Sequence, residues 1–504
     1  MQKQHVYVIS DVHLGGMSVA EDPEGVGFQL CPPDARRRLA RFVHHLRARH
    51  PAGDAQLVIN GDFVDFLAEE TAGVNGEGEQ LPAFEAFTPS QRRAVEKLRR
   101  VVHRADEGAR EGERIFEALG AFLAEGNRLD LLLGNHDIEL SLPDCRRYLV
   151  SLLTGDRPAR LSLTYDGEAL DLGPLLIEHG NRYDGWNAVA HGELRAWRAR
   201  ATRGEPPYEF TPPPGSRLVT RIMNPLKRRF RFIDLLKPEN EAVVPLMVAL
   251  EPDALGEIDK LLACELYAVK ERVEVAPGRL SEEESYVAAG VRKIAAPSPP
   301  AADELAGEVF DVRALEATRR LLAAEHSKWS DARLSEQETQ IASGAGDWLK
   351  STRSLFRLYR APPAERLRRL REALLGRADA IGATFELDRE EPRYLEAARR
   401  LARGGRTVVF GHTHLVKRIA LAEGLYLNTG TWCPTVSLPP QFFDAAVPDA
   451  EVLPALGEFV RDLCENRTDP WLRLQTAYAH VIVDGDRAVG EVCEYGEDGS
   501  VKTL

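Results

Sequence analysis

Five short apolar runs each lead into a tight group of small and polar residues able to bind metal. No other feature limits the fold as much. The groups are Asp11-Val12-His13, Gly61-Asp62-Phe63-Val64-Asp65, Gly134-Asn135-His136-Asp137, Glu178-His179-Gly180-Asn181 and Gly411-His412-Thr413-His414. Apolar runs of this length, rich in β-branched residues, read as buried strands. In open α/β sheets, sites form beyond the carboxyl ends of strands. Convergence of the five ends would bring four Asp, five His and two Asn into one crevice. Those five His come from only 13 in the whole chain.

The text between these groups predicts the rest of the α/β fold. Val6–Ser10, Leu57–Ile59, Leu131–Leu133, Thr407–Phe410 and Leu425–Leu427 are expected strands. Pro33-Asp34 opens a helix with Leu39, Phe42, Val43 and Leu46 on one face. A Gly-rich loop is expected from Ala72 to Gly78, and Thr88-Pro89-Ser90 caps a long Arg/Glu helix. Leu161–Ile177 reads as two strands turning at Asp166-Gly167, and Ala477–Cys493 as a hairpin. The middle, 191–395, is Arg/Glu/Leu/Ala-rich with helical periodicity, for example at Leu255, Ile258, Leu262 and Leu266, and is broken at Pro212–Pro214 and Pro297–Pro300. The expected organisation is therefore 1–190, a mostly helical insertion at 191–395, and 396–504 completing the first part.

Carboxylate, imidazole and amide oxygen suit borderline or hard divalent ions such as Mn, Fe, Zn, Ni or Co. None of the six cysteines lies in the five groups or forms a C-x-x-C pair. A closed zinc site and a disulfide scaffold are thus not expected. Metal pairs that clamp a displacement lie ~3.5–4 Å apart and need a carboxylate able to bridge them. Taken singly, an Asp after a strand is a turn residue and a lone His is a packing residue. Five such groups together argue for a site.

With all five groups present in order, the chain resembles the calcineurin-like metallophosphoesterases over about 4–190 and 396–440. That resemblance implies an αββα sandwich of two mixed sheets flanked by helices, interrupted here by a large, mostly α-helical insertion. It also implies two divalent ions, manganese first among them. One would be held by Asp11, His13, Asp62 and His414. The other would be held by Asp62, Asn135, His179 and His412, with Asp62 shared. His136 matches the family's substrate-contacting histidine and Asp65 the carboxylate that orients it. The implied reaction is hydrolysis of a phosphomonoester, phosphodiester or pyrophosphate, with the insertion selecting a small phosphorylated substrate.

Arg182, Tyr183, Asp184, Trp186 and Asn187 follow the fourth group closely and are candidates to line the pocket. Asn428–Trp432 is expected to brace the His412–His414 loop, and Asp137 and Glu139 to cap a following helix. The basic run Arg217 to Arg231, interleaved with Leu226, Phe230, Phe232 and Ile233, reads first as a solvated face. The sharper reading of 217–237 is a cationic amphipathic segment that meets an anionic substrate or, peripherally, a membrane.

The motif order is also similar to that of the UDP-diacylglucosamine pyrophosphohydrolases of lipid A synthesis. Gly134-Asn135-His136-Asp137 and His179-Gly180-Asn181 depart from the G-N-R-D and H-G-D of those enzymes. A non-catalytic, metal-braced scaffold that binds a protein partner is the alternative of another class. The balance of 65 basic against 78 acidic residues, net −13, disfavours nucleic-acid partners. Met1–His5 runs straight into a strand, with no signal-like apolar stretch, so the expected location is the cytoplasm.

Overall fold

The computed structural model describes residues 3–17, 27–70, 82–155, 160–205, 210–237, 242–250, 357–358, 361–362 and 364–504. The expected Gly-rich loop, the Leu255–Leu266 stripe and Pro297–Pro300 lie outside the described residues. The chain divides into two compact units, 1–236 with 382–437 and 466–504, and 237–381 with 438–465. Residues 191–236 belong to the first unit, and 438–465 to the second.

The first unit is built on two mixed sheets. Strands β1 (Gln4–Ile9), β2 (Ala55–Asn60), β3 (Arg128–Leu132) and β4 (Arg160–Thr164) run parallel in one of them. The second contains β5 (Leu170–Asp171), β6 (Leu175–Ile177), β7 (Thr407–Phe410), β8 (Val416–Leu421) and β9 (Gly424–Thr429), in the order β5-β6-β7-β9-β8. Strands β10 (Ala477–Asp484), β11 (Arg487–Tyr495) and β12 (Val501–Thr503) extend the first sheet beyond β1, giving β12-β11-β10-β1-β2-β3-β4. The expected C-terminal hairpin is β10–β11, paired from Ala477↔Glu494 to Asp484↔Arg487.

The alternation of side chains along each strand explains the layers. Val6, Val8 and Val58 of the first sheet share a buried core with Leu175, Ile177, Val409 and Leu427 of the second. The opposite side chains, Tyr7, Ile9, Leu57 and Ile59, pack on helices α1 (Pro33–Arg49), α2 (Gln91–Ala105), α3 (Ile115–Ala124) and α4 (Pro143–Thr154). Ser90 caps α2, accepting from the Arg93 amide. Helix α5 (Pro392–Leu401) covers the other sheet, with Tyr394, Ala397 and Ala398 against Val408, Phe410 and Tyr426. The first unit is therefore a two-sheet α/β sandwich flanked by helices.

One strand expectation is corrected. Leu161–Ile177 is not a hairpin: β4 pairs with β3, whereas β6 pairs with β7 in the other sheet. Leu175 and Ile177 are wholly buried between the sheets, and that burial outweighs the local turn signal at Asp166-Gly167. In the second unit, buried Arg371 ties helix Arg366–Leu375 to Asp449 of helix Asp449–Cys464 and donates to the Asp444 carbonyl at 3.1 Å. The five cysteines among the described residues are free thiols. No helix among those residues is long and apolar enough to cross a membrane.

A histidine cluster lies across β1 and β10. His480 stacks on Tyr7 with ring centroids 4.5 Å apart and shares a hydrogen bond with His5 at 3.1 Å, while Tyr7 Oη and His50 Nε2 are 2.8 Å apart. Burial, then the neighbouring His5, lowers His480 to about 4, against the weaker pull of Glu491. A histidine with a lowered folded pKa contributes stability above its unfolded value near 6.5, and that contribution is lost as pH falls toward 4. After allowing for solvent screening of the partly exposed ring, His480→Gln should remove about 1 kcal/mol of acid sensitivity between pH 7.5 and 5. Melting curves of both proteins at the two pH values test this. Equal acid shifts would reject it.

Candidate metal centre

The backbone of the strand-end loops is bent in a way that side chains ordinarily resist. Asp11, His13, Asp62, His412 and His414 all have positive φ, between 47° and 68°. Among the described residues, Asn466 is the only other non-glycine residue to do so. Such conformations cost of order 1–3 kcal/mol each and persist where surrounding structure fixes them. Here the loops zip together. The Asp11 amide donates to the Gly61 carbonyl at 3.2 Å, His13 to Asp62 at 2.9 Å, and Asp65 to Leu14 at 2.8 Å.

Each key carboxylate has one oxygen tied to a backbone amide. Asp11 Oδ2 accepts from His412 N at 2.9 Å, and Asp62 Oδ1 accepts from His136 N at 2.8 Å. The other oxygens face imidazoles. Asp11 Oδ1 lies 3.3 Å from His414 Nε2 and 3.9 Å from His13 Nε2. Asp62 Oδ2 lies 3.2 Å from His179 Nε2 and 3.9 Å from His13 Nε2. His179 Nδ1 donates to the Asn60 carbonyl at 2.8 Å, which leaves Nε2 as the nitrogen that faces Asp62.

Asp11, His13 and His414 thus form one group of potential ligands, and Asp62, His179 and His412 a second. A third, His13, Asp65 and His136, shares His13 with the first. In each group the ligand atoms lie within 4.8 Å of one another. Buried Asp11 Oδ1 and Asn135 Oδ1 lack hydrogen-bond partners. Orphaned acceptors beside buried carboxylates require positive charge, because burying an unpaired charge is costly. The buried His/Asp groups could hold metal ions, and the donor set fits borderline or hard divalent cations.

The field of the carboxylates is strong even without a cation. Burial alone would lower the pKa of His179, but Asp62 and then Asp11 outweigh it and push it up to about 10. Burial would raise Asp11, yet the His179 and His414 charges bring it down to about 2. His136 is likewise opposed by burial and pushed up to about 9 by Asp65 and Asp62. Asp65 Oδ1 meets His136 Nδ1 at 3.1 Å, and its Oδ2 lies 3.4 Å from His13 Nδ1. One carboxylate therefore stands behind both a potential ligand and the more accessible His136, whose side chain is 16% exposed against 2% for Asp65.

Several neighbours take parts other than those expected. Asp137 does not cap a helix; its two oxygens accept from Gly134 N and Phe63 N at 2.8 Å and hold the second and third loops together. Glu139 accepts from Thr88 N at 2.7 Å, likewise away from any cap. Arg182 and Tyr183 both turn to buried Glu178. Asp184 and Asn187 face the ligand groups: Asp184 Oδ2 lies 3.2 Å from His412 Nε2, and Asn187 Oδ1 accepts from Asn135 Nδ2 at 3.3 Å. Burial opposes the Asp184 charge, but His412 and then Arg393 hold its carboxyl well below the usual range. Asn428 does brace the fifth loop, donating to the Gly411 carbonyl at 2.9 Å and to Thr413 Oγ1 at 3.1 Å.

The basic segment also reaches these loops. Asn224 donates to the Leu67 carbonyl at 2.8 Å and accepts from Lys227 Nζ at 3.1 Å, and the Gly215 amide donates to the Trp186 carbonyl at 2.8 Å. Lys227 is buried and paired with Asp234, and its charge is felt at His136. Leu226, Phe230, Phe232 and Ile233 are buried. Local sequence gave no signal for these links, because every partner is distant along the chain. No protein-family model matches the chain, and neither a curated protein nor a solved structure matches it significantly.

Proposed function

We propose that this chain is a two-metal phosphohydrolase that cleaves a phosphomonoester, phosphodiester or pyrophosphate bond in a small substrate. The observation that carries this reading is the position of Asp62 Oδ2, which faces His179 of one ligand group and His13 of the other. Asp11, His13, Asp62 and His414 would hold one ion, and Asp62, Asn135, His179 and His412 the other. Divalent ions there, manganese first among them, would lower the pKa of water and neutralise phosphoryl charge. His136 is accessible and braced by Asp65, so it can donate a hydrogen bond or a proton to a phosphoryl or leaving-group oxygen. Asp65 fixes its Nδ1–H and keeps the opposite nitrogen toward substrate. The 213–234 segment is tied to Leu67 through Asn224 and to Trp186 through Gly215, beside the same loops, which supports a role in substrate choice.

The test is turnover of chromogenic monoesters and diesters and of nucleotide-sugar pyrophosphates with added Mn²⁺. His136→Ala should lower kcat by about 10²–10⁴-fold, the usual range for a lost general acid. Asp65→Asn should fall in the same direction but less far. Two bound ions with no turnover of any phosphoester would overturn the enzyme reading and favour the metal-braced scaffold.

A further inference from the structure

Asp184 and Asn187 form a hydrogen-bond relay behind the second ligand group. A carboxylate only accepts, so the Asn187 amide must turn its Nδ2 to Asp184 Oδ2, at 2.9 Å. That leaves Asn187 Oδ1 facing Asn135, whose Nδ2 donates to it at 3.3 Å. The Asn135 amide is thereby oriented, and its Oδ1 is the buried atom with no hydrogen-bond partner. The same Asp184 Oδ2 meets His412 Nε2 at 3.2 Å. A proton on Nε2 leaves the Nδ1 lone pair for a cation. Asp184 is itself anchored through Oδ1, which accepts from Trp186 N at 3.1 Å and Arg393 Nη1 at 3.2 Å. Asn181 Nδ2 donates to the Asn187 carbonyl at 2.9 Å and fixes the far end of the relay.

We propose that Asp184 and Asn187 are positioning residues that set the affinity of the second metal position by orienting two of its ligands, His412 and Asn135, from one carboxylate. This rests on the two-metal reading above. The polarity of the whole relay originates at Asp184. Trp186 N and Arg393 Nη1 would keep the new amide oxygen at the Oδ1 position, so Asp184→Asn places a donor where Oδ2 stood and reverses the constraint at nearly constant volume. Asn187→Ala breaks only the branch to Asn135. Asp184 and Asn187 meet His412 and Asn135, which lie outside the Asp11, His13 and His414 group, so the first position should be spared.

The experiment is a Mn²⁺ titration of the full chain, followed by calorimetry and by electron paramagnetic resonance, with circular dichroism to verify folding. Wild type should bind two ions tightly, and the six-line signal of free Mn²⁺ should emerge only beyond two equivalents. Asp184→Asn and Asn187→Ala should keep one tight ion and bind the second about 10–100-fold more weakly, the scale of losses behind a ligand. Their free-ion signal should emerge after one equivalent. If Asp184→Asn fails to fold, Asn187→Ala alone decides. Two ions bound as in wild type by the folded variants would overturn the relay and leave the two-metal reading standing. Loss of both ions would also overturn it, by making the role a general structural one. Fewer than two ions in wild type would overturn both.

Discussion

Asp62→Asn should strip the site of its metal while leaving the fold intact. The geometry makes this substitution unusually directional. Asp62 Oδ1 accepts from His136 N at 2.8 Å, so the new amide must keep its oxygen there. The NH₂ then falls where Oδ2 stood, 3.2 Å from His179 Nε2 and 3.9 Å from His13 Nε2. A hydrogen-bond donor would replace the one oxygen that faces both ligand groups. Metal affinity should fall by more than the ~100-fold seen when residues behind ligands are changed. Turnover should fall by about 10³-fold or more, as when a preorganised electrostatic group is lost. The metal-free protein should melt below metal-free wild type, because His179 and its neighbours stabilise the Asp62 charge and its loss leaves the buried His179 without that partner. Elemental analysis, steady-state rates and melts in chelator check the three parts. Retention of two ions with full turnover would remove Asp62 from the centre of the site.

The parts of this site legible in the sequence were those in which one local rule sufficed. Val6–Ile9, Leu57–Ile59 and Val408–Phe410 are apolar enough to be buried strands alone, so the residues just beyond them had to lie at strand ends. The cap at Ser90 and the β10–β11 hairpin are likewise local. The split of Leu161–Ile177 between two sheets was not legible, because β4 and β6 choose partners by burial far from Asp166-Gly167. Nor was the relay from Asp184. Its polarity depends on His412 and Arg393, more than 200 residues away along the chain. Asp137 looks like a cap in sequence because the residues after it form a short helix, but its oxygens are drawn to Phe63 and Gly134. Strand-end chemistry is local, whereas the groups that orient it are tertiary.

The strongest test of how tightly the site is built removes no functional group. A Cβ placed on Gly134 would lie 2.6 Å from both Cγ and N of Asp62, and nearer still to Oδ1. Gly134 does not have positive φ, so backbone conformation does not oppose an alanine; only space does. Neither obstacle can yield cheaply. The Asp62 backbone is held where its carbonyl accepts from His13 N, and its side chain is pinned to His136 N. Gly134 itself is held by donation from its amide to Asp137. Gly134→Ala should therefore displace the Asp62 carboxylate and cost about 1–3 kcal/mol of stability, the usual penalty for overpacking a filled site. Ions should be lost and hydrolysis abolished although every candidate ligand remains in the sequence. This result separates geometry from composition: if the residues merely concentrated negative charge, the alanine variant would still bind two ions. Paired metal analysis and melting of Gly134→Ala and of Gly155→Ala, whose Cβ meets nothing within 4 Å, would decide it. Gly155 has φ near +55°, so its variant carries backbone strain without intruding on the site. Metal loss confined to Gly134→Ala would assign the effect to contact with Asp62.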